Sequence, residues 1–263
     1  MPNVAPLRPP DESCSLVTGA SRGIGAAIAL SLAATGRPVV VGYRADEAAA
    51  QRTVEAVERA GGKALAVQAD VTVSTDVERI FDSAESAFGP VTVLINNAGI
   101  RSDQIFSAME PDDWNVVLDT NLNSVYRTVR RALPAMGKAR FGRIVNIGSV
   151  LGGRSLPGVA NYATAKAGLE ALTRSVAVEV ARRGITVNAV APGLVETELV
   201  RDVAFLRRSA RAAIPARRAA TPAEIAACVS FLASPEAGYV TGTTLTVDGG
   251  LSAAAFLPGA VHD

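Results

Sequence analysis

Short runs rich in valine and isoleucine alternate along this chain with longer helical stretches, and this constrains the fold more than any other feature. The runs fall at 15–18, 38–42, 64–69, 91–95, 143–147, 186–190 and 243–247. Most are almost continuously apolar, as strands buried on both faces of a sheet must be. Helical patterning fills the gaps near 24–35, 46–60, 74–88, 111–137, 160–183 and 221–233. A strand that returns parallel to its predecessor after a helix needs a right-handed crossover. The pattern therefore predicts an α/β fold: a Rossmann-type doubly wound parallel sheet of about seven strands with helices on both faces.

The chain has 263 residues, 49% hydrophobic and 19% charged, enough for one domain with a substantial core. Residues 1–12, with four prolines and no apolar signal core, are expected to be a disordered lead-in. Residues 13–250 are expected to form a single catalytic domain with a lid at about 193–220, and 251–263 a C-terminal extension. No apolar run reaches the length of a membrane span, so no membrane partner and a cytoplasmic location are expected. A net charge of +1 gives no reason to expect a nucleic-acid partner. Cys14 and Cys228 fit no metal motif, and the one histidine, His262, is next to the last residue. No metal site is expected, and Ser-His-Asp chemistry is disfavoured.

The first strand runs into Thr18-Gly-Ala-Ser-Arg-Gly-Ile-Gly25 and then a helix. Gly19, Gly23 and Gly25 permit a tight turn, close approach of backbone to a pyrophosphate, and close helix–strand packing. The helix N-terminus adds free N–H groups for a phosphate. A purely structural turn is the alternative. In dinucleotide folds that take NAD, an acid follows about 20 residues on and binds the ribose. Here Tyr43 and Arg44 end the second strand, and Asp46 is placed to cap the next helix. Arg22 and Arg44 can bracket a 2′-phosphate, which favours NADPH/NADP+ over NADH; otherwise Arg44 points into solvent.

Tyr162 and Lys166 stand four apart, on one helix face, with Ser149 thirteen residues before the tyrosine. A cation beside a phenol favours phenolate, so Lys166 is expected to lower the Tyr162 pKa and make it a proton donor and acceptor near neutral pH. Ser149 can hold the same substrate oxygen. With Thr18–Gly25, Asn96-Asn-Ala-Gly99, Asn121 and Pro192-Gly193, this set resembles the short-chain dehydrogenase/reductase superfamily, classical type, over roughly residues 13–250.

The resemblance implies a catalytic tetrad of Asn121, Ser149, Tyr162 and Lys166. Tyr162 would be the general acid and Ser149 would polarise the carbonyl. Lys166 would tune the phenol and hold the nicotinamide ribose. The Asn121 backbone would hold a water leading to a proton relay. Cofactor contacts are implied for Gly19, Ser21, Arg22, Gly23, Ile24 and Gly25 on the first turn. Asp70 and Val71 are implied to contact the adenine, and Asn97, Ala98 and Gly99 the adenosine and ribose side. Pro192, Gly193, Val195 and Thr197 would fix the nicotinamide end. Structural alternatives remain open: Asp70 as a helix cap, Asn97 as a sheet brace, Pro192-Gly193 as a turn.

Phrases such as Gly142-Arg-Ile-Val-Asn-Ile-Gly-Ser149 and Arg183-Gly-Ile-Thr-Val-Asn-Ala-Val-Ala-Pro-Gly193 are most similar to the bacterial 3-oxoacyl-[acyl-carrier-protein] reductases. That likeness implies docking of an acyl carrier protein at Arg140 and Arg183, near the active-site entrance, and a homotetramer built on the 111–137 and 160–183 helices and the last strand. Ala165, Ala167, Gly168, Ala171 and Ala177 can serve close packing between helices or against the sheet. Arg201, Arg207, Arg208, Arg211, Arg217 and Arg218 face only Asp202 within 201–218, a local field suited to an acidic carrier, or a plain solvated face. The expected activity is NADPH-dependent reduction of a 3-oxoacyl thioester in fatty-acid, polyketide or polyene synthesis. A reductase of a free ketone, sugar alcohol or acyl-CoA is the alternative, and a non-catalytic nucleotide sensor a remote one.

Overall fold

The computed structural model describes residues 9–197 and 213–254. Seven strands among them form one parallel sheet: β1 (Cys14–Val17), β2 (Val39–Tyr43), β3 (Ala64–Gln68), β4 (Val91–Asn96), β5 (Gly142–Ile147), β6 (Ile185–Pro192) and β7 (Thr244–Val247). Each expected strand is present within two residues of its predicted ends. The order β3-β2-β1-β4-β5-β6-β7 reverses direction between β1 and β4, and a crevice opens at such a switch point outside the strand C-termini.

Alternation of side chains along each buried strand feeds two cores. On one face Val17, Val41, Val93 and Val145 pack against α1 (Gly23–Ala33), α2 (Glu47–Arg59) and α7 (Pro222–Ala233) through Ile28, Val57 and Val229. On the other, Leu16, Val40, Leu94 and Ile144 pack against α3 (Ser74–Phe88), α5 (Ser124–Ala139) and α6 (Ala160–Val180) through Phe81, Val129 and Leu169. Full burial of each such side chain contributes about 1.5–3 kcal/mol. The second core also holds a satisfied polar ladder. Thr128 donates to Asn96 Oδ1 (2.7 Å), Asn96 Nδ2 to Asn146 Oδ1 (2.9 Å), and Asn146 Nδ2 to Thr173 Oγ1 (2.9 Å). The two asparagines are register partners on β4 and β5, so the ladder locks α5 and α6 to the sheet.

The single helix expected over 111–137 is two, α4 (Pro111–Leu118) and α5, joined by a π turn at Asp119–Asn123. Asn121 causes the departure: its side chain turns onto Ile100 rather than lying along a regular helix. In α6, Ala165 and Ala177 are buried towards the sheet and Gly168 lies against Leu122, while Ala167 and Ala171 are exposed. No helix among the described residues is long and apolar enough to cross a membrane.

Candidate active site

The glycine turn is built as its spacing requires. Gly19 and Gly23 have φ of 62° and 58°, which side-chain-bearing residues rarely adopt. A Cβ on Gly19 would stand 2.9 Å from Ala98 Cα, and one on Gly25 2.6 Å from Asn97 Nδ2. No side chain caps α1, and no acid occupies its first turn, so its leading N–H groups are open to an anion. Thr18 and Asn97 join this turn to the end of β4. Thr18 Oγ1 accepts from the backbone N–H groups of Asn97 (3.0 Å) and Ala98 (3.1 Å), and Asn97 Nδ2 donates to the carbonyls of Thr18 (3.0 Å) and Gly19 (2.8 Å). Asn97 thus acts as a brace between β1 and β4.

A cleft of about 280 Å³ opens beside the turn. Its wall includes Gly19, Ser21 and Arg22 from the turn, Tyr43 at the end of β2 and Arg44 after it, Asp70 and Val71 after β3, and Asn97, Ala98 and Gly99 after β4. Asp46 caps α2 by accepting from Ala49 N (2.9 Å), leaving Arg44 at the strand end where a ribose-binding acid would stand. Asp70 Oδ1 accepts from the N–H and hydroxyl of Thr72 and caps no helix. On the opposite side Thr197 lies over Gly23, Val195 is bridged to Ala220, and a Cβ on Gly193 would fall 2.8 Å from Asp248 Cβ. The residues present therefore fit a dinucleotide: a glycine cradle, an uncapped helix start and a walled adenosine side. Among the described residues no cluster of His, Cys, Asp or Glu could hold a metal.

Gly99 joins the cleft to the expected tetrad: a Cβ there would lie 2.6 Å from Asn121 Oδ1 and 3.8 Å from Lys166 Nζ. Asn121 clamps the loop after β4, accepting from Ile100 N (3.0 Å) and donating to Ile100 O (2.8 Å). Ser149 follows β5 and is a hydrogen-bonding neighbour of Tyr162. Lys166 is only 4% exposed; its Nζ donates to Ile147 O (2.7 Å) and lies 5.6 Å from the Tyr162 ring centroid. Burial pushes the lysine down from 10.5 to about 8.

Lys166 Nζ and the Arg101 guanidinium carbon stand at the same distance from the phenol ring, 5.6 Å from its centroid. Burial pushes Tyr162 up, and the groups that pull it back are the Ser149 hydroxyl and the Arg101 charge, with Asp103 opposing. The lysine's hydrogen bond goes to a backbone carbonyl. Asn161, which the spacing of motifs did not single out, positions the tyrosine. Fully buried, it donates to Ser102 O and Asp113 O (both 2.9 Å) and accepts from Tyr162 N (2.7 Å). An asparagine at a helix start was its only signal.

Two further expectations change. Arg183 lies over Gly137 near the end of α5, where Arg140 forms the left-handed cap, so the two arginines are brought together. They precede β5 and β6, at the N-terminal end of the strands, opposite the C-terminal end that carries Ser149, and not near the entrance of their own subunit. The length of β5 between them is roughly 17 Å at about 3.3 Å per residue. Of the lid arginines, Arg201, Arg207, Arg208 and Arg211 lie outside the described residues, as do 255–263 of the C-terminal extension and 1–8 of the lead-in. Arg218 forms a two-pronged pair with Glu224 (2.6 and 2.7 Å), which reduces the field expected there.

A family described as enoyl-(acyl carrier protein) reductase matches residues 19–252. The 3-oxoacyl-[acyl-carrier-protein] reductase FabG of Escherichia coli K12 is 47% identical over 238 residues, 90% of this chain and 96% of the relative. That of Vibrio cholerae is 45% identical with the same coverage. A crystal structure of a putative gluconate dehydrogenase from Agrobacterium tumefaciens has a TM-score of 0.89 and 34% identity, covering 92% of this chain and 97% of that one.

Proposed function

We propose, on the premise that this chain belongs to the classical short-chain dehydrogenase/reductase family, that it reduces a 3-oxoacyl thioester on an acyl carrier protein to the 3-hydroxyacyl product. The observation that carries the reading is the meeting of Ser149, Tyr162 and Lys166 beside Gly99, at the mouth of a glycine-cradled cleft. NADPH, when bound, supplies a hydride to the carbonyl carbon. Arg22 and Arg44 on the cleft wall support the phosphorylated cofactor. Tyr162 gives its proton to the carbonyl oxygen, and the Ser149 hydroxyl donates to that oxygen and fixes it. Lys166, whose proton is weakly held, refills the phenol. The π turn at Asn121 frees backbone from regular helix bonding, which supports a water-mediated proton path to Lys166.

The 42–47% identity to carrier-protein reductases favours a carrier-bound substrate over a free polyol. Arg140 and Arg183 can serve that carrier only across a subunit boundary. If α5 packs against its twofold copy, its C-terminal end meets the copy's N-terminal end, and with it the copy's active site. Exposed Val116, Tyr126 and Val178 on α4, α5 and α6 support such a contact within a cytoplasmic homotetramer. Steady-state kinetics with NADPH on acyl-carrier, coenzyme A and free ketone substrates test the reading. Carrier-bound substrate should have the highest kcat/KM. Reversing Arg140 and Arg183 to glutamate should lower it tenfold or more for that substrate alone. Equal kcat/KM on a free ketone would replace this reading with a reductase of free carbonyl compounds.

A further inference from the structure

Beside Lys166 Nζ, 5.6 Å from the Tyr162 ring centroid, a second cation faces the phenol, Arg101. Its guanidinium carbon lies 5.6 Å from the Tyr162 ring centroid. Asp103 grips it as a fork, Nε to Oδ1 at 3.0 Å and Nη2 to Oδ2 at 2.6 Å. The backbone on both sides is pinned. Asn121 holds Ile100, Asn161 holds the carbonyl of Ser102, and Ser102 Oγ donates to Asp113 on α4 (2.8 Å). Gln104 N bonds Gly158 O (2.9 Å), tying the same loop to the segment before Tyr162. The guanidinium is therefore held against the ring by a braced loop. A cation on an aromatic face also gains attraction from the ring itself.

The charged groups facing the phenol among the described residues are few. Lys166 is on its own helix, Arg101 and Asp103 are on the loop after β4, and Asp113 stands behind them on α4. Lys166 is bonded to Ile147 and holds its proton weakly. An arginine keeps its charge at any working pH. We propose that Arg101 is a positioning residue for the proton donor, held by Asp103 on the ring of Tyr162 as the permanent positive charge of the site. This rests on the reading of Tyr162 as general acid. Asp103 tempers the effect, so the pair sets the acidity of Tyr162 by two opposed charges. Both side chains are partly exposed, 39% and 50%, which screens each of them.

The test is the pH dependence of kcat/KM for a 3-oxoacyl thioester at saturating NADPH. A phenol acting as acid loses rate on the alkaline side as it ionises. Arg101→Gln should move that limb up by about half a pH unit, and Asp103→Asn should move it down by about as much. Arg101→Lys should restore most of the wild-type limb. A structural role for the loop would not produce shifts of opposite sign. An unmoved limb in Arg101→Gln, or shifts of the same sign in the two variants, overturns the inference. Tyr162→Phe separates the two levels. If it is inactive while the limb stays put, the general-acid reading stands and the Arg101 role falls. If it retains substantial turnover, both fall.

Discussion

Replacing Lys166 by methionine should change the pH dependence of stability more than its value at neutral pH. The lysine is buried, and its pKa falls from 10.5 to about 8 because burial disfavours the charged form. A fall of about 2.5 pH units corresponds to about 3 kcal/mol of cost for carrying the proton in the folded state. Methionine removes that cost but leaves the Ile147 carbonyl without its partner, a loss of about 1–3 kcal/mol. At neutral pH the two nearly cancel. Between pH 8 and 10.5 the unfolded wild-type chain still binds a proton that the folded chain has released, so wild-type stability rises with pH; the variant lacks this contribution. Urea unfolding at fixed protein concentration, without cofactor, reads the difference. The stability of wild type relative to Lys166→Met should grow by about 3 kcal/mol from neutral pH to above 10.5. A gap that stays flat with pH would refute the idea of a strained lysine proton, and with it the reading of Lys166 as a ready proton source. Groups other than Lys166 titrate in both proteins and drop out of the difference.

Gly25→Ala puts a Cβ 2.6 Å from Asn97 Nδ2, so the brace must shift and KM for NADPH should rise tenfold or more in initial-rate assays. Arg44→Ala should cut the preference for NADPH over NADH about tenfold, measured as the ratio of kcat/KM values, since one charge-assisted contact to a phosphate is worth about 1.5–3 kcal/mol. Asn161→Ala loses three hydrogen bonds and should lower stability by about 3 kcal/mol in urea melts. In the same variant kcat should fall while KM for NADPH changes little, because Asn161 holds Tyr162 and stands apart from the adenosine cleft.

Much of this fold is legible in the chain because its determinants are local. Strands β1 to β7 follow from runs of branched apolar side chains, and the positive φ at Gly19 and Gly23 follows from a spacing that only glycine serves. The order of motifs along alternating strands also placed Ser149, Tyr162 and Lys166 at the C-terminal end of the sheet. Two departures have long-range causes. The helix expected over 111–137 is interrupted because Asn121 finds the backbone of Ile100, which lies on a different loop. Arg140 and Arg183 are separated from the Ser149 end by the full length of a strand, a consequence of strand direction that their charge does not reveal.

Sequence by itself determined the parallel sheet, the glycine cradle and which residue types meet in the site, because periodicity and backbone freedom act over a few residues. Tertiary structure alone decided where each charge acts. Lys166 and Tyr162 share a helix face in the sequence, but only the closed fold gives the buried ammonium its bond to Ile147 O and brings Arg101, from the loop after β4, to the same 5.6 Å from the ring. The strength and sign of an electrostatic effect depend on distance and on exclusion of water, and both are set only when the crossovers close.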